Sequence, residues 1–291
     1  MDKTDLVTKY LGEPFYRVDN CLIYNMDCLT GLRELPLNIV NLTVTSPPYN
    51  IGKEYEESRD VSCYLNWCEQ WINEIYRVTH QEGSFWLNLG YISLAERAKA
   101  IPISYLLWDK IPFYLVQEIV WHYGAGVAGR KFFSPRNEKF LWYVKNADKY
   151  TFNLDEVRDP NVKYPNQKKN GKIKVNPIGK NPSDVWEIPK VTSGYQRASK
   201  ERTRHPAQFP ESVITRVVKV SSNPCEIVLD PFMGSGTTAV VALREKRFVV
   251  GFELRTDYCY LAVERINAFL NQQKESSMQK ELFSAIDYSS D

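Results

Sequence analysis

Residues 225–254 constrain this chain more than any other stretch. An apolar run, Cys225–Asp230, leads into a turn that carries Gly234 and Gly236. A helical pattern begins near Thr237, and a second apolar run, Phe248–Leu254, follows it. Strand, helix and strand in this order form the unit of a parallel sheet, because parallel neighbours need a crossover between them. Ligand sites in such sheets lie at the carboxyl ends of the strands. That rule draws attention to Asp230 and Glu253.

The same alternation runs through most of the 291 residues. Cys21–Asp27 and Ile39–Thr45 read as strands. The second is ended by Ser46-Pro47-Pro48-Tyr49, since proline cannot continue a central ladder. Tyr64, Trp67, Cys68, Trp71, Ile72, Ile75 and Tyr76 recur at helical spacing. Glu82-Gly83 reads as a turn, Ser84–Leu89 as a strand and Ala100–Trp108 as a helix. Leu115–His122 and Glu138–Lys145 read as strands joined by the glycine-containing stretch Gly124–Arg136. Pro210–Val220 and Asp257–Leu270 read as helices. The tail from Gln272 is polar and is expected to fray or dock weakly. The fold class is therefore α/β with a largely parallel sheet.

Composition excludes several function classes. The six cysteines form no Cys-x-x-Cys pair and read as reduced, buried thiols. His80, His122 and His205 lie near no cysteine pair at zinc-ligand spacing, so no metal is expected. No uncharged apolar run is long enough for a membrane span. Met1–Lys9 is charged where a secretory leader is apolar, so the expected location is the cytoplasm.

Net charge is only +2, but it is unevenly spread. Lys145–Arg204 holds fourteen basic and seven acidic side chains, so the remainder is acidic. Such a segment is the footprint of a phosphate-binding face. A lysine-rich solvated loop would look the same. From about Asn146 to Arg204 the apolar pattern fades over a length too great for an ordinary loop, which suggests an insertion.

The first strand end carries Asp230-Pro231-Phe232-Met233-Gly234-Ser235-Gly236-Thr237-Thr238. Glycines let a backbone approach a ligand closely, and the following helix offers free N–H groups. No Gly-Lys-Ser/Thr follows, so this is not a phosphate-binding P-loop. Glu253, ending the next strand, is placed to accept hydrogen bonds from both hydroxyls of a ribose. The string resembles the cofactor motif of amino-methylating DNA methyltransferases. The resemblance implies S-adenosyl-L-methionine as cofactor. It implies Asp230, Pro231 and Phe232 near the methionine portion, Gly234, Ser235, Gly236, Thr237 and Thr238 around the cofactor, and Glu253 on the ribose. Asp27 would lie towards the adenine end. The alternative is a glycine turn that only permits strand-to-helix packing.

The second strand end carries Ser46-Pro47-Pro48-Tyr49. Methylating an exocyclic amine requires acceptors for its protons and a base held outside the stack. The Ser46 hydroxyl and the Pro47 carbonyl are suitable acceptors. The prolines stiffen the turn, and Tyr49 offers a ring for stacking. This string resembles the catalytic motif of the same family. Its serine form implies N4 of cytosine, with N6 of adenine as the alternative. The implied catalytic residues are Ser46, Pro47, Pro48 and Tyr49.

The catalytic motif precedes the cofactor motif, and the basic segment lies between them. This order resembles the circularly permuted β group of these enzymes, over roughly residues 15–270. It implies a Rossmann-like methyltransferase fold with a mostly parallel seven-stranded sheet and an inserted target-recognition region. The expected organisation is an arm at 1–14, a catalytic domain at 15–145 and 205–270, an insertion at 146–204 and a tail at 271–291. His205–Pro210 resembles the element beside the methionine portion. The expected partner is double-stranded DNA, contacted by Lys168, Lys169, Lys172, Lys174, Arg197, Lys200, Arg202 and Arg204. Gly124–Arg136 is a second candidate for approaching DNA, and Trp121 reads as core or as a neighbour of the base. The resemblance also implies a restriction–modification setting, bacterial or phage. It leaves open a homodimer and a cognate restriction endonuclease.

Three other readings are weighed against this one. Pro224-Cys225 has the form of the cytosine-C5 nucleophile, but it opens the strand at the end far from the site. An RNA or protein amide methyltransferase would use a similar Pro-Pro-Tyr turn. A catalytically silent binding module would not need Ser46, Tyr49, Asp230 and Glu253 together.

Overall fold

The computed structural model describes the backbone of residues 2–287, apart from 55, 57, 127 and 192–198, and side chains through 279. The chain opens with helix α1 (Lys3–Leu11), strands β1 (Tyr16–Val18) and β2 (Cys21–Asn25), helix α2 (Cys28–Glu34) and strand β3 (Val40–Thr45). Helix α3 (Val61–Val78), the long strand β4 (Thr79–Leu89), a small hairpin of β5 (Tyr91–Leu94) and β6 (Ala98–Pro102), and the one-turn helix α4 (Ile103–Leu106) follow. Strands β7 (Tyr114–His122) and β8 (Asn137–Val144) form an antiparallel pair. The insertion contributes the hairpin β9 (Lys168–Lys169) and β10 (Lys172–Ile173) and the strand β11 (Val185–Glu187). The last portion is helix α5 (Glu211–Ser221), strand β12 (Ile227–Asp230), helix α6 (Thr237–Arg244), strand β13 (Phe248–Glu253) and helix α7 (Thr256–Asp287).

One sheet organises these elements, in the order β1-β2-β13-β12-β3-β4-β8-β7-β11. From β2 to β4 every neighbouring pair is parallel. Strands β8 and β7 are antiparallel to their neighbours within the expected set of seven. The short strands β1 and β11 extend that set at its two edges.

Alternate residues of a strand face opposite sides, and both sides of this sheet are buried. Leu22, Tyr24, Phe85, Leu87, Leu229, Val250 and Phe252 belong to one apolar layer. Cys21, Ile23, Leu42, Val44, Trp86, Val228 and Val249 belong to the other. This is why the parallel strands read as continuous apolar runs. The first layer is completed by α2 and α3, through Leu32, Trp71, Ile72 and Ile75. The second is completed by α5, α6 and α7, through Val213, Val217, Val241 and Ala262. The expected periodicity of α3 holds, with Tyr64, Cys68, Trp71, Ile72 and Ile75 buried.

Several sequence expectations need correction. Glu82-Gly83 is no turn but lies within β4. The register between β3 and β4 shifts there, between Val40 and Leu42. A Cβ on Gly83 would stand 2.9 Å from the Asn41 carbonyl oxygen, so the glycine serves a bulge with close backbone approach. The expected helix over 100–108 is divided between β6, α4 and a 3-10 turn at Trp108–Lys110. Pro102 sits at its N-cap, where a missing N–H costs nothing. Cys225 is exposed at φ 67°, and its strand begins two residues later. Cys63 is also exposed, so only four of the six thiols are buried. Helix α7 continues past Leu270, and its residues 271–279 are exposed.

The insertion is not detached from the sheet. Strand β11 pairs with β7, and Trp186 stacks on Trp86 at 5.8 Å between ring centroids. Trp121 donates its indole N–H to the Ile188 carbonyl at 2.6 Å.

Candidate active site

The sheet places the two sequence motifs side by side. β3 and β12 are adjacent parallel strands, in the register Val228–Leu42 and Leu229–Thr43. They therefore end together, β3 at Thr45 and β12 at Asp230. The chain runs outward from this pair in opposite directions, through β13 on one side and β4 on the other. This is the switch point at which open α/β sheets leave a crevice.

A cavity of about 720 Å³ opens there. Ser46, Pro47, Pro48 and Tyr49 line it from β3. Asp230, Pro231, Phe232, Gly234, Ser235, Thr237 and Thr238 line it from β12 and α6. Glu253 and Asp27 line it from β13 and the start of α2. Gly236 does not. It caps α6 at φ 76°, and a Cβ there would stand 2.9 Å from Ala262 Cβ, so it serves helix packing.

Asp230 is the buried hub of the floor, with 2% exposure. Its carboxylate accepts from Thr45 Oγ1 at 2.7 Å, Thr238 Oγ1 at 2.6 Å and the Phe232 N–H at 3.1 Å. Burial raises its pKa, and these three donors oppose the rise. Gly234 adopts φ 52°, and its N–H meets Glu253 Oε2 at 2.8 Å. Glu253 Oε1 accepts the Arg255 N–H at 2.8 Å. Burial also raises the Glu253 pKa, against these two backbone donors. A carboxylate has about four acceptor positions, so Glu253 keeps capacity for two further donors.

Asp27 stands beyond the strand rather than ending it. It caps α2, accepting from the Leu29 and Thr30 N–H groups at 3.0 and 3.2 Å.

The Pro-Pro turn is tied down at several atoms. Tyr64 donates its hydroxyl to the Pro48 carbonyl at 2.9 Å. Ser46 Oγ and Tyr49 Oη are 2.8 Å apart. Tyr49 also donates towards Asn88 Oδ1 at 2.8 Å and Glu138 Oε2 at 3.3 Å. Phe232 meets Trp67 and Trp71 edge-on at 5.7 and 5.4 Å, which gives the cavity an aromatic wall.

His205 projects from the segment that precedes α5. Its ring meets Tyr258 edge-on at 4.4 Å. Burial, with Lys53 and Arg255 nearby, pushes its pKa down to about 4, so the imidazole is neutral at physiological pH. His205, Pro206, Ala207 and Gln208 all line the cavity.

The cationic candidates lie elsewhere. Lys168, Lys169, Lys172 and Lys174 are exposed on or beside the β9–β10 hairpin, and Lys200, Arg202 and Arg204 are exposed near α5. None lines the cavity. Arg197 lies outside the described residues. The loop between β7 and β8 starts and ends beside two cavity residues, Trp121 and Glu138. It carries exposed Arg130, Lys131 and Phe133, the last 101% exposed. Trp121 is 2% exposed and serves as core while its edge lines the cavity.

Several cavity residues belong to no motif, Asn50, Glu56, Arg59, Asn88, Glu138 and Lys190 among them. Asn88 has a signal in the sequence, a polar residue inside an apolar strand. Glu138 opens a strand, and Lys190 lies within the irregular insertion.

Residues 40–264 match a family described as DNA methylase, of the N6/N4 class. The chain belongs to the N6/N4 DNA methylase family. A relative of high similarity is the type II methyltransferase M.ScaI of Streptomyces caespitosus. It is 58% identical over 90% of this chain and 86% of its own length. Among solved structures, the PvuII DNA methyltransferase, described as cytosine-N4-specific, superposes with a TM-score of 0.69 at 20% identity. It covers 89% of this chain and 94% of its own. The M1.HpyAVI–SAM complex superposes with a TM-score of 0.56 at 22% identity, over 85% of this chain and 99% of its own. These neighbours share the α/β fold of the family. Among the described residues no helix is long and apolar enough to cross a membrane, and no cluster of His, Cys, Asp and Glu could hold a metal.

Proposed function

We propose that this N6/N4 DNA methylase is a site-specific enzyme that transfers a methyl group from S-adenosyl-L-methionine to the N4 amine of cytosine, in a base turned out of the duplex. One observation carries the reading. The Pro-Pro turn and the glycine turn line a single cavity, and Thr45 and Asp230 bond their roots together.

The cavity fits the cofactor. Its volume falls within the range of small-molecule sites. Gly234, at positive φ, brings backbone close to a ligand without a side chain in the way. Glu253 retains acceptor capacity for both ribose hydroxyls, and Asp27 stands where an adenine end would lie. Phe232, Pro231, Gly234, Ser235, Thr237 and Thr238 enclose the remainder. The bound cofactor supplies an electrophilic methyl group on a positively charged sulfur. Ser46 Oγ and the Pro47 carbonyl accept the amine protons and turn its lone pair towards that methyl group. Tyr49 stacks on the base. Serine in place of aspartate at position 46 supports cytosine over adenine.

In this reading residues 15–145 and 205–270 form the catalytic body, and 146–204 reads the target. The cations at 168–174 and 200–204 hold DNA phosphates, as do those of the β7–β8 loop. The likeness to M.ScaI supports a place in a bacterial or phage restriction–modification system, in the cytoplasm, beside a cognate endonuclease. A second copy of the chain is a further partner in this reading.

The test is to incubate the protein with unmethylated DNA and methyl-labelled S-adenosyl-L-methionine, then separate the nucleosides by mass spectrometry. Label in N4-methylcytosine is expected. Label in N6-methyladenine would keep the chemistry and overturn the base. Absence of label from both would overturn the activity.

A further inference from the structure

A partly buried ion pair touches the Pro-Pro-Tyr turn and has no part in the mechanism above. Glu138, at the start of β8, and Lys190, three residues after β11, meet at 2.5 Å between Oε1 and Nζ. Their side chains are only 16% and 22% exposed, and both line the cavity. The ammonium also lies 3.9 Å above the Tyr123 ring centre. An ion pair in such a place adds little stability by itself, because partial desolvation offsets the attraction. What distinguishes this one is the other carboxylate oxygen, Oε2, which faces Tyr49 Oη at 3.3 Å.

Ser46 and Tyr49 bring one hydroxyl proton each. Asn88 Oδ1 and Glu138 Oε2 can only accept, and both face the Tyr49 hydroxyl. The orientation of Asn88 is fixed, since its Nδ2 donates to the Lys139 carbonyl at 3.1 Å. Ser46 Oγ also reaches Asn88 Oδ1, at 3.4 Å, so the two hydroxyl protons face two acceptors. The lone pairs of Ser46 Oγ remain for a group that arrives with N–H donors.

We propose that Glu138, held in place by Lys190, is the terminal proton acceptor for methyl transfer, reached through Ser46 and Tyr49. The inference rests on the amine-methylating reading above. Transfer forms the N–CH3 bond and breaks the S–CH3 bond, whose electron pair stays on sulfur. The amine is then left with one proton more than the product carries. Ser46 Oγ takes that proton and passes its own to Tyr49 Oη across 2.8 Å. Tyr49 passes its own to Glu138 Oε2. Both hydroxyls end as they began, the carboxylate ends protonated, and no other reactant is consumed. Lys190 holds the carboxylate beside Tyr49. Because Lys190 belongs to the insertion, the relay is complete only when that segment is seated.

The test compares wild type with E138Q, E138D and K190M. It uses a DNA site with 2-aminopurine beside the target, whose fluorescence reports extrusion of the base. E138Q keeps the shape of the side chain and removes the basic oxygen. It should slow single-turnover methyl transfer about 100-fold, the lower end of general acid–base effects. Cofactor affinity, DNA affinity and the fluorescence change should stay within threefold of wild type. E138D should recover about tenfold of the loss. K190M, which serves if E138Q does not fold, should slow transfer at least tenfold with the same affinities. Transfer by E138Q within threefold of wild type would overturn the proposal. So would a loss carried wholly by DNA affinity, which would make the pair a clamp. An inactive wild type would instead overturn the amine-methylating reading, before Glu138 is tested.

Discussion

Thr45 Oγ1 donates to Asp230 Oδ1 across 2.7 Å, although 185 residues separate the two in the chain. The bond joins the last residue of β3 to the last residue of β12. It fixes the Pro-Pro turn relative to the glycine turn. Thr45→Val keeps the shape and removes the donor. A hydrogen bond to a charged, buried group contributes about 1.5–3 kcal/mol, so a loss of that order is expected in urea unfolding at pH 7. Asp230 has its pKa raised by burial, so the folded chain binds its proton more readily than the unfolded chain. Its ionised form therefore costs stability at neutral pH. The cost is relieved as pH falls through the folded value towards the ordinary aspartate value. Thr45→Val should enlarge that relief. A variant as stable as wild type at pH 7 would show that the link does not hold the floor.

His205 behaves in the opposite sense. Its folded pKa is about 4, lowered first by burial and then by Lys53 and Arg255. The unfolded imidazole takes its proton near pH 6.5 while the folded one stays neutral. The unfolded state therefore binds more protons between these values, and stability falls as pH falls from 6.5 to 4. The full window corresponds to about 3 kcal/mol. Comparing urea midpoints of wild type and His205→Gln isolates this contribution from those of Asp230 and Glu253. Parallel pH curves for the two proteins would refute it.

How much of this was legible in the sequence depended on whether a residue's partner lay nearby in the chain. The strands β2, β3, β12 and β13 were legible because burial on both faces makes each an apolar run. The Ser46–Tyr49 and Asp230–Thr238 turns were legible because each site is contiguous. All fourteen residues named for catalysis and cofactor line one cavity, save Gly236. Gly83 misled, because a glycine in a bulge and a glycine in a turn look alike until the neighbouring strand is known. Glu138 and Lys190 were hidden for a related reason. Neither is unusual in its own segment, and their meaning arises only where β8, the insertion and Tyr49 converge. The hairpin is within reach of the sequence, since Asn170-Gly171 is a two-residue turn signal, but the surrounding lysines leave no alternating apolar pattern to mark its strands.

Glu253 offers a direct test of the cofactor reading. Its two oxygens already accept the Gly234 and Arg255 N–H groups, which aims the carboxylate into the cavity. Glu253→Ala should weaken S-adenosyl-L-methionine about 10- to 100-fold by titration calorimetry, the worth of one charged hydrogen bond. Adenosine alone, which carries the ribose, should lose a similar factor. Methionine alone should not. If methionine weakened as much as adenosine, the loss would come from the Gly234 turn and not from the ribose.

The β9–β10 hairpin tests where DNA lies. Asn170 and Gly171 both have positive φ, at 51° and 76°, as a type I′ turn requires. Lys169 pairs with Lys172 across it, and Lys168, Lys169, Lys172 and Lys174 are all exposed. Four cations held so close together repel each other, and that repulsion is relieved by a phosphate backbone. Binding to duplex DNA should fall with salt, with a slope in log–log form of about 0.9 for each phosphate neutralised. Replacing the four lysines by alanine should flatten that slope by about 2 to 4 and weaken binding most at low salt. Cofactor affinity should not change, since none of the four lines the cavity. An unchanged slope would move the phosphate contacts to Lys200, Arg202 and Arg204, or to Arg130 and Lys131 of the β7–β8 loop. The same titration on those variants would then show which surface carries them.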